Sequence, residues 1–149
     1  LDTDEGLTRY LPPMPQKNEQ KQMDVNRNDI MNISIDDDDR MTCNGDTINA
    51  RQLTERVASF VIERGKTHVI SVKADRQTSY EAYFAMQNSI VNAYSDVRDM
   101  MARREYNTPF AKCSQQERDE ISRKYPQRIS EAEPTSQDSG QEREEGGGE

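Results

Sequence analysis

One stretch restricts the fold more than any other. In "VISVKADRQTSYEAYFAMQ", residues 69–87, the spacing of apolar residues changes from two to about 3.6. Before the change, Ile70, Val72 and Ala74 lie on one face of an extended run and Val69 on the other, because successive strand side chains alternate. After it, Tyr80, Phe84, Gln87, Val91, Tyr94 and Met101 track one helical face, and Ile90 and Val97 widen it. A strand therefore runs into a long helix across a short junction. Thr78 and Glu81 have the spacing of a capping box for its first turn. The helix can continue to about Tyr106, where Asn107-Thr108-Pro109 breaks it. An apolar stripe of that length needs a cover, and a sheet supplies one.

The flanking segments provide the rest of that sheet. "DIMNISI" alternates, with Met31, Ile33 and Ile35 on one face. The alternation resumes at Met41 and Cys43 after the acidic bend Asp36–Asp39, so the two runs predict a hairpin. Asn44-Gly45 is a turn signal that predicts a kink or bulge in the second strand. Next, Asn49 and Gln52 form a capping box, Leu53, Val57, Phe60 and Val61 make one apolar stripe, and Gly65 ends the helix. Ser114 and Glu117 open a short helix ending near Tyr125, and "QRISEAE" is a weakly apolar last strand suited to a sheet edge. The order strand, strand, helix, strand, helix, helix, strand predicts an α+β fold. It is a small mixed β-sheet of about four or five strands, with two main helices packed on one face.

Composition limits how much of the chain joins this core. Hydrophobic residues make up 32% of the 149 residues, below the usual ~45–50%. Residues 1–28, with "LPPMPQKNEQ", read as a flexible linker and 134–149 as a disordered acidic tail, leaving 29–133 as the folded domain. A linker of that length spans ~30 Å on average and ~90 Å when stretched. The net charge is −8. Seven acidic residues and Arg143 from Glu131 onward leave −6, and the other 21 acids and 19 bases leave −2. An acidic tail on a near-neutral body argues against nucleic acid as a partner. The longest apolar run, "VASFVI", is far too short to span a bilayer. The chain does not begin with Met, so an upstream segment with room for a membrane anchor is expected to have been removed.

Few residues offer chemistry. His68 and Asp75 suggest an acid–base pair, but they are seven residues apart on one strand, which places them about 23 Å apart on opposite faces. His68 is expected to be an ordinary strand residue. Ser71 also faces away from it. The run Asp36–Asp39 fails the calcium-loop pattern, since Met41 and Thr47 stand at loop positions six and twelve. No glycine-rich run opens a helix. Tyr80, Tyr83, Phe84 and Tyr94 are expected to be mostly core. Cys43 and Cys113 lack metal spacing; they are either a pair formed in an oxidising compartment or two separate small apolar side chains. Asp75 has two readings. It binds turn amides or the helix N-terminus, or it faces a partner at the strand end.

These residues together resemble the periplasmic domain of the ExbD/TolR family over about residues 7–133. The resemblance is carried by Ala74-Asp75 with Tyr80 five residues on, by "YLPP", which contains Leu11 and Pro12, and by "YPQRISEAEP", which is similar to the ending of ExbD proteins with extended periplasmic domains. One departure is plain: family members commonly end the second helix at a glycine and pass at once to the last strand, whereas this helix continues past Asn92-Ala93-Tyr94. The resemblance implies a non-enzymatic periplasmic domain of a single-pass inner-membrane protein, without a cofactor. It implies a homodimer working with ExbB-like and TonB-like proteins in a proton-driven motor for outer-membrane uptake. A TolR-like anchor binding peptidoglycan is the alternative. The family's proton-carrying carboxylate lies in a membrane helix, so Asp75 does not take that role. Asp75, Tyr80, Leu11 and Pro12 are the candidates for partner binding or structure. The alternating "LTRYLP", residues 7–12, is expected to add to a sheet edge of the same or the partner chain and to compete with TonB.

Overall fold

The computed structural model describes residues 26–133. Most of the expected linker, including residues 7–12 with Leu11 and Pro12, lies outside the described residues, as does the tail expected over 134–149. The elements are β1 (Ile30–Ile35), β2 (Met41–Cys43), β3 (Asp46–Thr47), α1 (Ala50–Arg64), β4 (Val69–Ala74), α2 (Tyr80–Tyr106), α3 (Gln115–Lys124) and β5 (Ile129–Glu131). The five strands form one mixed sheet in the order β3-β2-β1-β4-β5. The β1–β2 and β2–β3 pairs are antiparallel, and β1–β4 and β4–β5 are parallel. Each parallel pair needs a long crossover. α1 lies in the first, and α2 and α3 lie in the second. This is the α+β arrangement expected from the periodicity.

Local chemistry explains most boundaries. Asn49 and Gln52 exchange capping hydrogen bonds, as do Ser114 and Glu117. Gly65 ends α1 at φ 56°, ψ −126°, a backbone conformation closed to side chains with a Cβ. Asn44 and Gly45 have φ of 51° and 91°. Two successive left-handed residues make a tight hairpin turn. The signal therefore adds the strand β3 where the sequence suggested a kink within β2. The α2 cap also differs from expectation. Ser79 caps the helix, accepting from the Ala82 N–H at 3.1 Å, while the Thr78 hydroxyl donates to the Asp36 and Ile35 carbonyls at 2.9 and 3.2 Å. Thr78 ties the junction to the end of β1, and the helix begins one residue later.

The core lies between the helices and one face of the sheet. Met31, Ile33 and Ile35 of β1, Ile70 and Val72 of β4, and Ile129 of β5 meet Leu53, Val57 and Val61 of α1 and Ile90, Tyr94 and Val97 of α2, all buried. Ile121 anchors α3 in the same cluster. The opposite sheet face carries Asn32, Ser34, Ser71 and Lys73, none of them buried. Cys43 and Cys113 are separate buried thiols.

Two expectations about side chains are corrected. Tyr94 is buried, but Tyr80 and Phe84 are 74% and 51% exposed. Phe84 is six residues from Ile90, which turns it about 120° away from the buried stripe. His68 is fully buried rather than an ordinary strand residue. It lies just before β4, where the chain leaves a 3-10 turn at Gly65–Thr67 and tucks the ring beneath α2.

Candidate functional site

The site is the junction where β4 ends, α2 begins and β5 forms one edge of the sheet. β5 pairs with β4 through Ile70–Ile129, Ser71–Ser130 and Val72–Glu131. The Ile70 N–H donates to the Arg128 carbonyl, and the Ala132 N–H donates to the Val72 carbonyl, both at 2.9 Å. Peptide groups alternate along a ladder, so those of Ile129 and Glu131 point away from β4. Among the described residues no strand lies beyond β5.

The turn that follows β4 is held by backbone and side chain together. The Asp75 N–H donates to the Ile35 carbonyl at 3.0 Å, and the Thr78 N–H donates to the Asp75 carbonyl at 3.1 Å. The Asp75 carboxylate accepts from the Gln77 N–H at 2.8 Å. This is the Asx-turn geometry in which a short acidic side chain stands in for a backbone acceptor. Across the junction, the Asp39 carboxylate accepts from the Ser79 N–H at 2.8 Å. The Asp36 carboxylate accepts the N–H groups of Asp38 and Arg40. The Arg40 bond in particular holds its carboxyl below the usual range. The acidic bend is thus a backbone-binding turn that braces the start of α2.

A cleft of about 350 Å³ opens between this turn and β5. Asp75, Arg76, Tyr80, Tyr83, Glu131 and Ala132 are among its walls. Tyr83 donates its hydroxyl to Glu131 at 2.7 Å, and the Gln87 amide donates to both Tyr83, at 3.0 Å, and Glu131. These bonds fasten α2 to the edge strand. At the mouth, the Tyr80 and Phe84 rings stack at 5.9 Å with planes 17° apart. Two adjoining exposed rings beside the short edge strand give a surface suited to an apolar or aromatic side chain of a docked segment.

The structure brings Asp75 and Tyr80 into this one cleft. Residues 1–25, with Leu11 and Pro12, lie outside the described residues. Sequence reasoning missed Tyr83, Gln87 and Glu131, although Tyr83 and Gln87 sit at i, i+4 on α2. Their shared contact with Glu131 lies more than forty positions away and leaves no trace in a short window. It also missed a second polar cluster. His68 Nδ1 donates to the Gly65 carbonyl at 2.5 Å and Nε2 accepts from the Tyr94 hydroxyl at 2.5 Å. The Tyr94 oxygen accepts from the Arg128 N–H at 3.2 Å, and Arg128 Nε donates to the His68 carbonyl at 2.8 Å. Burial lowers the His68 pKa and raises that of Tyr94, so both are neutral.

Among the described residues no cluster of three or more His, Cys, Asp or Glu could hold a metal ion. No helix among them is long and apolar enough to cross a membrane. Comparison with curated proteins finds no match to the chain. One family model, described as Biopolymer transport protein ExbD/TolR, matches residues 6–98. The match takes in β1 to β4, α1 and most of α2. It stops before α3 and β5. It covers the strand–helix junction with Asp75 and Tyr80 and more than half of the chain, and on that basis the protein belongs to the ExbD/TolR family.

Proposed function

We propose that this chain is the periplasmic coupling module of an inner-membrane motor of the ExbB–ExbD–TonB type, driven by the proton motive force. It receives work from an ExbB-like partner and hands it to a TonB-like partner for outer-membrane nutrient uptake, with no covalent chemistry of its own. The observation that carries this reading is the outer edge of β5, beyond which no strand lies among the described residues, beside the Asp75–Tyr80 cleft. A sheet edge accepts an extended segment through main-chain hydrogen bonds, and pockets for alternate side chains supply selectivity. The energy scale is suitable. One elementary charge crossing 100 mV releases ~2.3 kcal/mol, comparable with making or breaking one hot-spot contact of ~2 kcal/mol or more.

In this reading residues 7–12 form a competing strand, in the same chain or in the partner of a homodimer. The test is a titration of the 149-residue chain with a labelled peptide from a TonB-like periplasmic domain, followed by anisotropy and amide shifts. Shifts concentrated at 129–132 and 75–84 support the site, and tighter binding after deletion of 7–12 supports the competitor. Shifts confined to another face would refute the site. An unchanged dissociation constant after the deletion would refute the competing strand. The matched family includes TolR as well as ExbD, so purified peptidoglycan sacculi are assayed in parallel. Strong retention of the chain would favour the wall-anchor alternative.

A further inference from the structure

The buried histidine serves no role in the docking surface, yet it holds the strand that forms it. A carbonyl only accepts hydrogen bonds, so the Gly65 contact fixes the proton on His68 Nδ1. In the neutral ring this leaves Nε2 as the acceptor for the Tyr94 hydroxyl. The phenol oxygen is then free to accept the N–H of Arg128, the residue immediately before β5. The Arg128 side chain closes the loop on the His68 carbonyl. We propose that His68, Tyr94 and Arg128 form a proton-sensitive clasp, and that protonating His68 releases the start of β5 and loosens the docking edge.

The chemistry works in one direction. A proton on Nε2 converts the acceptor into a donor. It then opposes the Tyr94 O–H and competes with the Arg128 N–H for the same oxygen. Apart from the Gly65 carbonyl already bound to Nδ1, the surroundings offer the new charge little compensation, and burial outweighs that bond. From α1, Phe60 presents its ring to the imidazole at 6.2 Å, with Arg64 stacked behind it. Arg64 is itself paired with Asp29. From α2 come Tyr94 and, one turn on, Arg98, whose guanidinium donates to the Tyr125 carbonyl. α3 ends beside Gly65, where the ammonium of Lys124 is paired with Glu105. Arg128 adds a further positive charge. The buried ring therefore takes up a proton chiefly when the clasp opens.

The magnitude follows from linkage. If the open form titrates near the ordinary value of about 6.5 and the closed form stays neutral, the open fraction rises about 30-fold between pH 7.5 and pH 5.0. Amide exchange of the 149-residue chain reads this directly, with rates converted to protection factors at each pH. The proposal expects protection of the Ile70 and Ala132 amides, which bridge β4 and β5, to fall by about 30-fold while staying below that of the β1–β4 ladder at every pH, because the clasp opens without global unfolding. His68→Gln should remove the roughly 30-fold pH dependence. Because that variant can fail to fold, the imidazole of the unmodified chain is also observed by nitrogen-15 NMR, where Nε2 should be unprotonated at pH 7.5. Protection at the β4–β5 ladder that is independent of pH, or that equals that of the β1–β4 ladder at every pH and so reports global unfolding alone, would overturn the clasp. So would a protonated Nε2 at pH 7.5. The functional meaning rests on reading β5 as the docking edge. The exchange measurement contains no partner, so the clasp and the docking role fail separately.

Discussion

Replacing Asp75 by Asn and by Ala separates its two roles. The structure gives its carboxylate one backbone partner, the Gln77 N–H at 2.8 Å, and gives its own N–H and carbonyl further bonds that survive any side-chain change. Asn keeps an oxygen in the same place and loses only the charge. Ala loses the acceptor. A net backbone-to-side-chain hydrogen bond of this kind contributes about 0.5–1.5 kcal/mol. At a urea slope of about 2 kcal/mol/M, Asp75→Ala should lower the denaturation midpoint by about 0.25–0.75 M. Asp75→Asn should stay within about 0.2 M of the original chain on the same scale. Equilibrium urea unfolding followed by far-ultraviolet circular dichroism measures both. The reasoning is refuted if Asn destabilises as much as Ala, because the negative charge and not the acceptor would then hold the turn. Peptide titration of the Asn variant completes the experiment. Weaker binding at unchanged stability would show that Asp75 also contacts the docked segment.

Ile121→Ala removes the one buried anchor of α3 and should cost about 2–5 kcal/mol in urea unfolding. A cost below 1 kcal/mol would mean that α3 is not part of the cooperative core. Gly65→Ala places a Cβ where φ is 56° and ψ is −126°. It should destabilise by about 1–3 kcal/mol even though the nearest atom, the Lys124 carbonyl oxygen, is 3.9 Å from the new carbon. For pH dependence, burial lowers the folded value of His68, so the unfolded chain binds the proton first. Stability is therefore undiminished above about pH 7.5, falls as pH drops through about 6.5 by at most ~1.4 kcal/mol per unit, and levels off below the folded value. The difference in unfolding free energy between the original chain and His68→Gln should show this slope, and parallel curves would contradict it. Converting both Tyr80 and Phe84 to Ser should leave the urea midpoint nearly unchanged, because both rings are exposed, while weakening the TonB-like peptide about tenfold. Unchanged affinity would remove the stacked rings from the docking surface.

Most of the elements were legible in the chain because their signals are short-range. The change of period at residues 74–80 set β4 and α2. Asn49 with Gln52, and Ser114 with Glu117, marked helix starts through bonds spanning three residues. Gly65 marked a stop through backbone sterics alone. Asp75 and Tyr80 could be named as candidates for the same reason, since a strand–turn–helix junction is a local object. Periodicity also identified one buried helical face, but its exact direction escaped. A drift of six residues from the buried Ile90 is enough to swing Phe84 into solvent.

What only the tertiary structure decided are the contacts between distant segments. Tyr83, Gln87 and Glu131 meet because α2 crosses over the edge strand. His68 becomes a buried acceptor because Tyr94 and Arg128, 26 and 60 positions on, arrive on either side of it. Thr78 gives up the cap because the end of β1, more than forty residues earlier, offers it a carbonyl. A local window encodes backbone preference and the spacing of apolar groups. It holds no information about which strand lands at an edge or which polar groups are shut away from water together. Those outcomes depend on how whole elements pack, and they are the ones that make the β5 edge and the His68–Tyr94–Arg128 cluster beneath it.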